Sequence, residues 1–269
     1  IISIPNKSTH VGDVPTDNVI KGIHFVPLLI SVGALSKTSL TVSDTSKQKE
    51  EWYKDNHLEN HLVFHLEKNE NVWFFNSPFN TLTVILTLSN PISTERIDEL
   101  FNIFKNWLQD QSSITILAGS AIEKISDITK TQTEMLSLMP KFIVLGKSSF
   151  YSIDTYHEPI HPIKDSIDFK EKTNLLYQYF WENLINYPQV DFGIWKKIID
   201  LWIKNNLSQL DCEAEIEHFV NIGNQNLKNY NLKNFLSDSI YHSLIRIYEN
   251  ILDWDQFRSQ SKLLLKKIH

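Results

Sequence analysis

Three histidines, His57, His61 and His65, recur at every fourth position. On a helix that spacing would set three imidazoles on one face, an arrangement that suits zinc. The run His61-Leu62-Val63-Phe64-His65-Leu66 is β-prone, however, so polar positions on a half-buried strand are the stronger reading. His157, Glu158 and His161 form a second such set, in a stretch with two prolines, and are weighed in the same way. Ser120 and the pair Ser148-Ser149 stand beside apolar, strand-like runs, where nucleophiles can sit. No G-x-S-x-G elbow surrounds them and no His and acid follow in triad order, so they read as turn-forming serines. Cys212 is the single cysteine, which leaves no internal disulfide or thiolate metal site, and it reads as a reduced thiol. No catalytic, cofactor-binding or metal residue is assigned.

The elements that would position any such site follow from periodicity. Residues 25–32 (FVPLLISV) form a continuous apolar run, as a strand buried on both faces would. Residues 47–58 are charged and helix-compatible. Residues 61–66, 71–75 and 82–88 are three β-prone runs that read as a meander. Ser93 or Thr94 supplies an N-cap, after which Ile97, Leu100, Phe101, Phe104, Trp107 and Leu108 fall at helical spacing, so one face of that helix must be buried. A strand over 114–118, a helix over 125–142 and a strand over 150–153 complete a β-α-β-β-α-β-α-β series on one sheet.

This order resembles a GGDEF-type nucleotidyl cyclase domain, in the degenerate form that serves as the central linker of certain Firmicute AraC-type response regulators. The matching positions are residues 114–120, where the family has a strand ending in glycine and serine, and Phe142-Ile143-Val144-Leu145-Gly146-Lys147-Ser148, where it has an aromatic, a short apolar stretch and Gly-Lys-Asn. Ser148 replaces the asparagine. The resemblance covers residues 25–156 and extends more loosely into the tail. A working cyclase of this kind needs acidic metal ligands after its first strand and a Gly-Gly-Asp/Glu turn in its central hairpin, to hold two divalent cations against a triphosphate. The chain has Ser31-Val32-Gly33-Ala34-Leu35 at the first place and Phe75-Asn76-Ser77-Pro78-Phe79-Asn80 at the second. The resemblance therefore implies a fold kept as a non-enzymatic scaffold or sensor.

From residue 169 onward the sequence turns helical, and Leu175, Leu176, Tyr179, Phe180 and Leu184 open a series of five helices that ends near Ile268. The expected fold class is α+β: an N-terminal α/β sandwich with an antiparallel-rich, cyclase-like sheet, followed by an all-α bundle. The expected organisation is an irregular segment at 1–22, the sandwich at 23–156, a linker at 157–168 and the helical domain at 169–269. The two prolines, Pro159 and Pro162, hold that linker extended. Trp195, Trp202, Tyr241, Tyr248 and Trp254 give the tail more aromatic surface than such a bundle needs, which marks them as candidate interface residues.

Composition narrows the function classes. The 269 residues carry 26 basic and 32 acidic side chains, a formal net charge of −6, whereas a phosphate-binding surface would be basic. Seven glycines include neither G-x-G-x-x-G nor G-x-x-x-x-G-K-[ST]. No apolar run approaches the roughly 20 residues that span a bilayer. The chain begins at Ile1, which reads as a piece of a longer polypeptide. Together with the resemblance, these features lead us to expect a cytoplasmic, cofactor-free, homodimeric regulatory module of an AraC-family transcription regulator. It would relay a signal to a C-terminal helix-turn-helix domain outside this chain, which contacts the DNA. The alternative is a small-ligand sensor or enzyme with a pocket between sandwich and bundle.

Overall fold

The computed structural model describes residues 23–36, 58, 62, 64–77, 81–89, 94–111, 113–155, 167–186, 191–229 and 237–267. Among them the chain is α+β, a five-stranded mixed sheet with seven α-helices. It divides into two compact units. The first comprises Ile1–Val32, Thr38–Met139 and Ser148–Tyr156, and the second Gly33–Lys37, Pro140–Lys147 and His157–His269. The expected linker at 157–168 lies outside the described residues up to the start of a helix at Ile167.

The sheet unit holds β1 (Ile23–Val32), β2 (Asn71–Ser77), β3 (Thr81–Ser89), α1 (Thr94–Leu108), β4 (Ile114–Ala118), α2 (Ser126–Phe142, its last turn counted with the other unit) and β5 (Ser149–Ser152). Strand order is β2-β3-β1-β4-β5, with every neighbour antiparallel except β4 and β5. The apolar run of β1 explains its central place: Val26, Leu28, Leu29 and Ile30 are buried, as a strand covered on both faces must be. Successive residues of a strand face opposite sides, and helices cover both. α1 buries Leu100, Phe101, Phe104 and Leu108, with the Phe101 ring 4.9 Å from Phe150 of β5. α2 serves the opposite face, where Gln132 Nε2 donates to Thr83 Oγ1 at 2.8 Å.

The meander is corrected. Leu62 is helical and buried, Phe64 and His65 occupy a turn, and the His65 N–H donates to the Leu62 carbonyl. The apolar-polar alternation there arises from a helix end and a turn, so β2 and β3 form a two-stranded hairpin. The loop is fastened by ion pairing instead: Arg96 of α1 reaches both oxygens of the buried Glu70 at 3.0 and 2.5 Å, and the His65 carbonyl at 2.9 Å. The helix expected at 47–58 lies outside the described residues except Leu58, which is helical.

The second unit contains α3 (Ile167–Asn186), α4 (Gly193–Lys204), α5 (Gln209–Asn229), α6 (Ser237–Glu249) and α7 (Trp254–Lys266). Ser208 and Asp211 start α5 reciprocally, each side chain accepting the other's backbone N–H. Asp253 caps α7 by accepting from Gln256. At the core, Phe219 lies within 5.4 Å of the rings of Tyr177, Phe180, Trp181 and Trp195. A buried indole N–H needs an acceptor, and all four tryptophans of this unit have one. Trp181 donates to the Phe219 carbonyl, Trp195 to Ser261, Trp202 to Tyr177 and Trp254 to the Leu145 carbonyl.

Candidate functional site

The place to look for chemistry is the C-terminal end of β1, where a cyclase-like sheet would carry its metal ligands. Hydroxyl side chains mark the strands at this end: Ser31 pairs with Thr115, and Thr115 with Ser149, while Thr81 begins β3. Ser31, Thr81 and Thr115 are buried. Hydroxyls without a carboxylate beside them are poor ligands for a divalent cation. Among the described residues no group of three or more His, Cys, Asp or Glu is placed to hold a metal ion. Residues 78–80, between β2 and β3, lie outside the described residues.

Beyond Val32 the backbone enters the helical unit and is held by it. Gly33 has φ +65, and a Cβ there would stand 2.4 Å from the Ile251 carbonyl oxygen, so only glycine fits. The Ala34 N–H donates to that same carbonyl at 3.2 Å. Gln209, fully buried in the first turn of α5, accepts the Leu35 N–H on Oε1 at 2.7 Å and returns Nε2 to the Leu35 carbonyl at 2.9 Å. Its own N–H donates to the Ile143 carbonyl, and Nε2 also reaches Glu213 Oε1 at 2.9 Å. Trp254 holds the Leu145 carbonyl at 2.9 Å, beside Gly146 at φ +84. Two short segments, one continuing β1 and one ending α2, are thus bonded through their main chain within the helical unit. Such an arrangement positions a backbone.

Positions singled out by their chemistry in the sequence scatter. His65 is an exposed turn residue, while His57, His61, His157, Glu158 and His161 lie outside the described residues. Ser120 donates to Asp154 at 2.5 Å, an exposed pair. Ser148 donates to the Gln111 carbonyl and accepts the Ile114 N–H, which is a turn-holding role, and Ser149 lies in β5. Burial pushes the Cys212 thiol far above its ordinary range, so it stays neutral and is no nucleophile. Burial likewise raises the Tyr177 hydroxyl, and the Glu215 carboxylate it donates to at 2.5 Å adds to the effect.

No protein-family model matches the chain, and no curated protein matches it. Of the five aromatic residues expected at an interface, Trp195, Trp202, Tyr248 and Trp254 are buried and packed together in the core of the helical unit. Only Tyr241 keeps partial exposure. These four side chains are taken up almost wholly by that core. Sequence reasoning missed Gln209, whose partner Leu35 is 174 positions away. It also missed the Arg96–Glu70 pair; the charged Glu67-Lys68-Asn69-Glu70 ahead of a helix carrying Arg96 was the available signal.

No helix among the described residues is long and apolar enough to cross a membrane.

Proposed function

We propose that the chain is a non-enzymatic regulatory and dimerisation module of an AraC-family transcription regulator, acting in the cytoplasm and relaying a signal to a DNA-binding domain encoded outside it. The observation that carries this reading is the β1 exit. Where nucleotidyl transfer would require carboxylates against two cations, the chain has Gly33-Ala34-Leu35-Ser36, and the Ala34 N–H and both polar groups of the Leu35 backbone are already bonded within the protein. Among the described residues the series β1, β2-β3 hairpin, α1, β4, α2, β5 on one sheet agrees with the order that the cyclase resemblance implies, apart from the helix expected at 47–58, which lies outside them except Leu58. The net charge of −6 agrees with DNA contact made by another part of the polypeptide.

The test has two arms. Incubated with GTP and Mg²⁺, the purified chain forms no cyclic dinucleotide above a no-protein blank; turnover by chromatography overturns the non-enzymatic reading. The coding sequence downstream of His269 contains two helix-turn-helix units, and a polypeptide that extends past His269 without them removes the transcription-factor assignment.

A further inference from the structure

Among the described residues β2 is the last strand of the sheet, bonded on one side to β3 only. Its sequence, Asn71-Val72-Trp73-Phe74-Phe75-Asn76-Ser77, contains no charge, no proline and no glycine. Edge strands of soluble proteins are ordinarily kept from pairing by charge, proline, bulges or shortness. The opposite edge, β5, is protected by length, with four residues. β2 has seven, and it exposes Trp73 at 40% and Phe75 at 44%.

These two aromatics stand two positions apart and so share a face, on either side of Phe74. We propose that β2 is a self-pairing edge: a second copy of this chain adds its own β2 antiparallel, about a two-fold axis through Phe74, joining two five-stranded sheets into one. The occupant is argued from the strand itself. In that register Trp73 faces the partner copy's residue 75 and Phe75 faces its residue 73, so both aromatics of each copy are covered by the same kind of pair. A neutral strand meets its own copy without like-charge repulsion. Main-chain groups on the side of β2 away from β3, where no described strand lies, supply the hydrogen bonds of a new ladder. This deepens the dimer clause of the regulatory reading by naming its surface, and it depends on neither the promoter-binding part nor the loss of catalysis.

Sedimentation velocity of the chain across a concentration series tests the pairing with W73K, F75E and their mixture. Because both side chains are partly exposed, each variant keeps the parental far-ultraviolet spectrum. The parent shows a monomer–dimer equilibrium, and each variant alone has a dissociation constant weaker by about tenfold or more. The equimolar mixture regains dimer, because the ammonium introduced at position 73 of one copy then faces the carboxylate introduced at position 75 of the other. Dimer undiminished in W73K overturns the pairing and leaves the regulatory reading standing. A parent that stays monomeric at every concentration overturns the pairing and the dimer clause together. Amide exchange on the unmodified chain reads the same surface without a variant: β2 amides lose protection on dilution, and protection independent of concentration overturns the proposal.

Discussion

Gln209 clasps the peptide of Leu35, its Oε1 accepting the N–H at 2.7 Å and its Nε2 donating to the carbonyl at 2.9 Å, across 174 residues of sequence. A side-chain amide matches a backbone peptide in both donor and acceptor, which is why glutamine can close this pair and a shorter or apolar residue cannot. Gln209→Ala would leave two main-chain groups without partners in a dry site, at a cost of about 3 kcal/mol. Gln209→Glu keeps the acceptor, loses the donor and brings a carboxylate against Glu213, so it costs at least as much. Urea unfolding measures both, and a loss under about 0.5 kcal/mol for the alanine variant, the range of a neutral surface change, would show that Gln209 does not hold the Leu35 peptide.

Gly223 in α5 makes room for Trp181 of α3. A Cβ at 223 would lie 2.3 Å from Trp181 Cε2, and the indole cannot retreat while its Nε1 holds the Phe219 carbonyl. Alanine in a helix interior normally gains about 1 kcal/mol over glycine. Here overpacking outweighs that gain, and Gly223→Ala destabilises by about 1–3 kcal/mol. Thermal melting decides the sign; a raised midpoint would show that the helices separate freely.

Trp202 is fully buried, with its Nε1 donating to the Tyr177 hydroxyl at 2.9 Å. Trp202→Phe loses that bond and part of the ring at about 1–2 kcal/mol, and Trp202→Ala costs about 3–5 kcal/mol. Since the side chain has no exposed surface, sedimentation of the folded phenylalanine variant gives the parental association constant. A shift in association without a shift in melting would place Trp202 at an interface.

Burial alone would raise the Glu70 carboxyl, but hydrogen bonds from Arg96 and the Glu67 N–H, with the Arg96 charge, outweigh it and hold the group below its ordinary value of 4.5. A depressed folded-state value means that the pair stabilises fully above pH of about 4.5 and ceases to as pH falls through the lower, folded-state value. Glu70→Gln is therefore less stable than the parent near neutrality, by about 2–3 kcal/mol, and the difference shrinks as acid protonates Glu70. Denaturant titrations at pH of about 7, 5 and 3 follow it across that window. A gap that stays constant down to the most acidic titration would show that the charge of Glu70 contributes nothing.

The sequence by itself determined the elements whose hydrophobic pattern is long and regular. The unbroken apolar run of β1, the β-prone runs of β2 and β3, and the helical spacing of Leu100, Phe101, Phe104 and Leu108 each indicate one local conformation, because that conformation buries the pattern. The short run at 61–66 did not, since six residues of mixed polarity satisfy a helix end and a turn as well as a strand, and contact of Arg96 with Glu70 and the His65 carbonyl settled the matter. Tertiary structure alone decided where the aromatic residues went. Helical spacing says that Trp195 and Trp202 share a face and is silent on what meets that face; Phe219 and Phe257, brought in from α5 and α7, meet it. It also decided that the residues after β1 are bonded to Gln209 and Ile251, because a hydrogen bond across so long a separation leaves no periodic trace in a chain.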